Sequence, residues 1–109
     1  MSPDIKERCR TKLIEVAKRG ATITYGDLAA HLGIASRGPW RMLDEIYREE
    51  WAAGRQHLPL VVVYSDTGLG KYNSEGGPAR SVKVDPENAD QVRRYRADLK
   101  EVYDYWARH

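Results

Sequence analysis

Residues 21–43 read ATITYGDLAAHLGIASRGPWRML, and no other stretch restricts the fold so tightly. Thr22, Ile23 and Thr24 are β-branched, and their stiff side chains favour an extended backbone. The extended run stops at once. Thr24 has the chemistry of an N-cap, and Asp27, three residues on, suits the positive end of a helix. Leu28, Ala29 and Leu32 give that short helix one apolar face, and Gly33 supplies its stop. Pro39 fits the first turn of a second helix, where its missing N–H is not needed. Two helices across a short Gly-containing turn fit a helix-turn-helix, whose second helix enters a DNA groove; they fit an ordinary αα-corner equally well.

Periodicity supplies the other elements. Ser2-Pro3-Asp4 opens a first helix in which Ile5, Cys9, Leu13, Val16 and Ala17 recur at helical spacing until Gly20. Cys9 lies on that stripe and reads as a small buried hydrophobe, because the sequence places no base beside it. Lys6, Arg8, Arg10, Lys12, Lys18 and Arg19 occupy the other face, a pattern that suits water or a phosphate backbone. The helix from Pro39 to Ala53 has a core stripe of Trp40, Leu43, Ile46, Tyr47 and Trp51, with Arg37, Arg41, Glu45 and Arg48 outward. Asp44, Glu45, Glu49 and Glu50 make its second half acidic, so its N-terminal end is the part suited to reading DNA.

Leu58 to Tyr64 is a continuous apolar run, the pattern of a strand buried on both faces. Ser65-Asp66-Thr67-Gly68 is turn chemistry, and Ser81 to Val84 is a shorter second strand. The intervening loop becomes a wing, with Lys71, Arg80 and Lys83 as its cations. Asp85-Pro86-Glu87 starts the final helix, where Val92, Tyr95, Leu99, Val102 and Trp106 repeat at alternating spacings of three and four. Such a seam packs back on the domain, or it holds a protein partner or a second copy of the chain.

With 109 residues, 41% hydrophobic and 31% charged, the chain fits one globular domain over residues 1–109. A net charge of +2 permits nucleic-acid binding without arguing for it. One cysteine excludes an internal disulfide and any multi-cysteine metal site, which suits a reducing compartment. Without a membrane-length apolar run or a signal-peptide pattern, the expectation is a cytoplasmic protein with no membrane contact. His31, His57 and His109 lack partners at metal-ligand spacing, and Gly68-Leu69-Gly70 does not continue into a phosphate loop. No metal, no cofactor and no enzymatic chemistry are expected.

Three motifs in order suggest a family. Ile23-Thr24-Tyr25-Gly26-Asp27-Leu28-Ala29 resembles the "TYGDLA" opening of the DNA-binding domain of O-alkylguanine-DNA alkyltransferases and alkyltransferase-like proteins. Gly33 to Leu43 matches the region of that family's recognition helix and its arginine-bearing loop, and Leu58 to Val63 its Pro-Cys-His-Arg-Val strand. Thr67 to Gly77 is similar to its Gly-rich loop ending in Tyr-Ser-Gly-Gly, with two residues inserted. The resemblance covers residues 20–77, about half the chain. It implies an α+β winged helix-turn-helix with a small β-sheet wing and an additional amphipathic C-terminal helix over residues 85–108. By the same resemblance Tyr25 matches the tyrosine that helps turn a nucleotide out of the duplex, and Arg37 the arginine that fills the gap in the stack. Tyr72 and Ser74 match residues near the pocket for the extruded base, a step that costs a few kcal/mol and that a replacement stack offsets.

The chain also departs from the pattern. Leu60 stands at the alkyl-accepting cysteine, with Val61 and Val62 in place of the histidine and arginine. A leucine side chain has no nucleophile, so alkyl transfer there is excluded. Ala53-Gly54-Arg55-Gln56-His57 replaces the asparagine hinge. The expected function is non-enzymatic binding of double-stranded DNA, extending to altered DNA, through Tyr25, Ser36, Arg37, Arg41, Lys71, Tyr72, Ser74 and Lys83, with a nucleoid association to match. The alternative is a protein-interaction module that keeps this fold without DNA binding.

Overall fold

Asp4 opens the first helix by accepting a hydrogen bond from the Lys6 N–H at 2.9 Å, and α1 runs from Ile5 to Lys18. A computed structural model describes residues 4–34, 40–55, 57–73 and 81–109. Cys9, Leu13, Val16 and Ala17 of α1 are buried, and the other elements assemble around them. Strand β1 (Ile23–Thr24) leads into α2 (Tyr25–Leu32), with the Thr24 hydroxyl accepting from the Asp27 N–H at 3.1 Å. Gly33 closes α2 at φ 71°, a left-handed conformation that costs a glycine little, and the Ile34 N–H returns to the Ala29 carbonyl at 3.0 Å. Helix α3 spans Trp40–Ala52.

The apolar run after α3 is only partly a strand. Leu58–Val61 forms a 3₁₀ turn, with Pro59 in its first turn and the Leu60 N–H bonded to the His57 carbonyl, and β2 is confined to Val62–Val63. The run is buried throughout, as its composition requires, but Pro59 has no N–H for a ladder. β2 pairs in parallel with β1, Ile23 opposite Val62 and Thr24 opposite Val63. β3 (Lys71–Asn73) and β4 (Ser81–Lys83) form an antiparallel hairpin.

The last helix also begins later than its Asp-Pro-Glu signal suggests. The Asp85 carboxylate accepts from the Glu87 N–H, making a local turn, so the helix cap passes to Asn88, which accepts from the Gln91 N–H at 3.1 Å. Helix α4 therefore covers Ala89–Ala107. Tyr95, Leu99 and Val102 of its seam are buried, and Val92 and Trp106 pack against the same core. Of the two uses that the spacing allowed, packing back on the domain is the one seen, with Tyr95, Leu99 and Val102 in the chain's own core. The Tyr95 hydroxyl donates to the Leu60 carbonyl at 2.6 Å and the Tyr103 hydroxyl to the Ala21 carbonyl at 2.8 Å. Gly70 fits beneath Tyr95 because it lacks a Cβ, which would stand 2.6 Å from the Val62 carbonyl oxygen. The fold is α+β, and the described residues form four α-helices and two small sheets. Among the described residues no helix is long and apolar enough to cross a membrane.

Candidate functional site

Tyr25 is the first residue of α2, and its half-buried ring lies 4.8 Å, centroid to centroid, from that of Tyr64. Tyr64 ends the apolar run where the chain turns. Its N–H bonds to the Leu69 carbonyl at 3.0 Å and its carbonyl accepts from the Gly68 N–H at 2.8 Å, closing a tight loop. The Val84 N–H then bonds to the Gly70 carbonyl, which sets the β3–β4 hairpin beside that loop. As a result the Lys83 ammonium sits 4.4 Å from the Tyr64 ring centroid, within cation–π range, and 3.4 Å from an Asp66 carboxylate oxygen. Lys71 is directly opposite Lys83 across the ladder, so both lysines project from one face of the hairpin. Burial and the neighbouring Tyr64 push the Tyr25 phenol well above the usual tyrosine range, so it stays protonated.

Three of the expected site residues, Tyr25, Lys71 and Lys83, are thus gathered around Tyr64, which the motifs did not single out. The available signal was its position, an aromatic closing an apolar run just before turn chemistry. Tyr72 is placed differently. On β3 it points to the opposite face from Lys71, is buried in the core, and carries the Arg94 guanidinium 5.3 Å from its ring centroid. It is a packing residue in this fold. Ser36, Arg37 and Ser74 lie outside the described residues. Arg41 is exposed on α3, and Arg48, seven residues on, shares its face. Among the described residues neither arginine has an ion-pair partner.

Asp44 and Glu45 border that face, three and four residues from Arg41, whereas Glu49 and Glu50 turn towards α1. Lys6 of α1 lies 2.6 Å from Glu49 and 3.8 Å from Glu45, and Arg10 bonds both Glu49 and Glu50. Hydrogen bonds to Lys6 and Arg10 hold the Glu49 carboxyl below its usual range. Glu50 is fully buried, bound also by Arg55, whose guanidinium lies 5.5 and 5.9 Å from the ring centroids of Tyr105 and Trp106. Part of the basic face of α1 is therefore spent on α3. Trp51, expected in the core, is half exposed and stacks on His57 at 5.5 Å. Among the described side chains the buried positions of α3 are Leu43, Ile46, Tyr47 and Glu50, and Trp51 lies about 100° round the helix from Glu50.

Elsewhere the surface gives little convergent chemistry. A cleft of about 260 Å³ along α1 is lined by Glu7, Arg8, Thr11, Lys12, Glu15 and His31, with Lys12 already paired to Glu15 at 3.2 Å. Leu60, at the position resembling an alkyl acceptor, is buried in the 3₁₀ turn. Cys9 is fully buried, and burial pushes its thiol up to about 11, far from a reactive thiolate. Among the described residues no three His, Cys, Asp or Glu side chains converge on a metal-sized site. Compared with known protein families, curated proteins and solved structures, the chain matches none.

Proposed function

We propose that this protein binds double-stranded DNA without catalysing a reaction. The observation that carries the reading is the convergence of Tyr25, Tyr64, Lys71 and Lys83, from three separate segments, into one aromatic and cationic surface. Phosphate contacts need cations held in place, and the Tyr64 ring and the hairpin hold these two lysines. In this reading α2 and α3 are the two helices of a winged helix-turn-helix of the alkyltransferase-like kind, and β3–β4 is its wing. The outer face of α3, with Arg41 and Arg48, lies in a groove. The acidic half of α3 opposes this less than its composition suggests, because Glu45, Glu49 and Glu50 pair with the cations of α1 and Arg55, leaving Asp44 as the exposed acid beside Arg41. Recognition of an extruded altered base is the less supported version, since Tyr72 is built into the core.

Fluorescence anisotropy with a short duplex, plain and carrying one O-alkylguanine, tests the reading. Affinity is expected to fall with salt by about 0.9 log units per log unit for each phosphate contact. Arg41→Ala or Lys71→Ala is expected to weaken binding, with the slope reduced by about one where the lost contact is to phosphate. Absence of binding at low salt overturns the proposal. One observation then favours a protein-interaction module instead: the half-exposed Trp51 is the kind of side chain that anchors such interfaces.

A further inference from the structure

We infer that Asp66 is an internal stand-in for a DNA phosphate, bound to Lys83 in the free protein and displaced from it by the duplex. The inference rests on the DNA-binding reading and adds a regulatory contact to it. Lys71 and Lys83 are directly opposed like charges, an arrangement that is unfavourable unless an anion lies nearby. Among the described residues a single carboxylate, that of Asp66, is bonded to this pair, through Lys83, leaving the two lysines one negative charge short there. Its bond to Lys83 is long, at 3.4 Å, and both side chains are largely open to water, 46% exposed for the lysine and 68% for the aspartate. An ion pair of this kind is weak and exchanges readily.

The geometry fixes where a replacement would sit. Tyr64 holds the Lys83 ammonium from one side through its ring, so the cation stays in position when the carboxylate leaves. Asp66 belongs to the tight loop closed by the Tyr64–Leu69 and Gly68–Tyr64 hydrogen bonds, so its own carboxylate swings away without moving the hairpin. A duplex presents one phosphate charge per about 1.7 Å of axis. It offers this lysine pair far more anion than one carboxylate does. Asp66 then sets a threshold: it keeps the patch partly neutralised against isolated anions and yields to a polyanion.

The test is a double-mutant cycle on duplex affinity at moderate salt, using the full chain, Asp66→Asn, Lys83→Gln and the double variant, with thermal melts to verify folding. Asp66→Asn is expected to bind about two- to fivefold more tightly than the native protein. In the Lys83→Gln background the same change is expected to have no effect. An equal gain in both backgrounds identifies Asp66 as a general repulsive charge and overturns the inference, as does no gain at all; both outcomes leave DNA binding standing. Failure of native protein and Asp66→Asn alike to bind at low salt removes the DNA reading and this inference with it.

Discussion

His57 is held between two aromatic rings, Trp51 stacked on it within 4° of parallel and Tyr47 at 4.7 Å. Its Nδ1 lies 3.2 Å from the Tyr47 carbonyl oxygen, to which it donates as the Nδ1–H tautomer. Burial lowers its pKa from 6.5, against the opposing pulls of the Tyr47 carbonyl and the Glu50 charge. The unfolded chain therefore takes up this proton at a higher pH than the native one does. Linkage then gives the sign: the contribution is present above pH 6.5 and is lost as pH falls through the lowered native value. Urea midpoints measured between about pH 7.5 and 5.5 are expected to decline towards acid. Replacing His57 by Phe is expected to flatten that part of the profile, and an unchanged decline would assign the proton to another group.

At the scale of the helix, α3 is held to α1 by charge as well as by Leu43 and Ile46. Removing the carboxylate with Glu50→Ala takes from Arg55 its carboxylate partner, leaves Arg10 with Glu49 alone, and brings the two guanidinium groups together around a buried site. The expected loss is about 3 kcal/mol, the low end for a broken buried pair because both arginines keep some water. Denaturant unfolding measures it; a loss below about 1 kcal/mol would class the pair with surface bridges. This buried acid also shows where legibility ends. The Thr24 cap and the glycine stops after α1 and α2 could be read from the chain, because a cap is decided within a few residues. That Glu50 and not Trp51 turns inward depends on two arginines from other elements, which no periodicity encodes. The Leu58–Val61 turn is similar: burial was legible, but Pro59 and the Tyr95 hydroxyl decide the backbone. Tyr25, Lys71 and Lys83 were visible one by one, and Tyr64 joins them only once the loop after it closes.

For the whole molecule the decisive element is α4. Its seam completes the core of α1, Tyr95 bonds Leu60, and Tyr103 bonds Ala21. It is integral to the packing of the fold. A chain ended at Asn88 would leave the α1 stripe and the 3₁₀ turn open to water along the faces that Tyr95, Leu99 and Val102 cover. Such a chain is expected to lack a cooperative thermal transition by circular dichroism; a cooperative melt would make the shorter unit the true domain.

The bond from Tyr103 to Ala21 joins residues 82 apart in sequence, and this has a consequence for how the protein is made. Translation at about 5–20 residues per second separates the two partners by about 4–16 s. Throughout that interval the Cys9–Ala17 stripe has emerged without the helix that covers it. The nascent chain is then an exposed amphipathic helix awaiting its lid, the state in which ribosome-associated chaperones engage their clients.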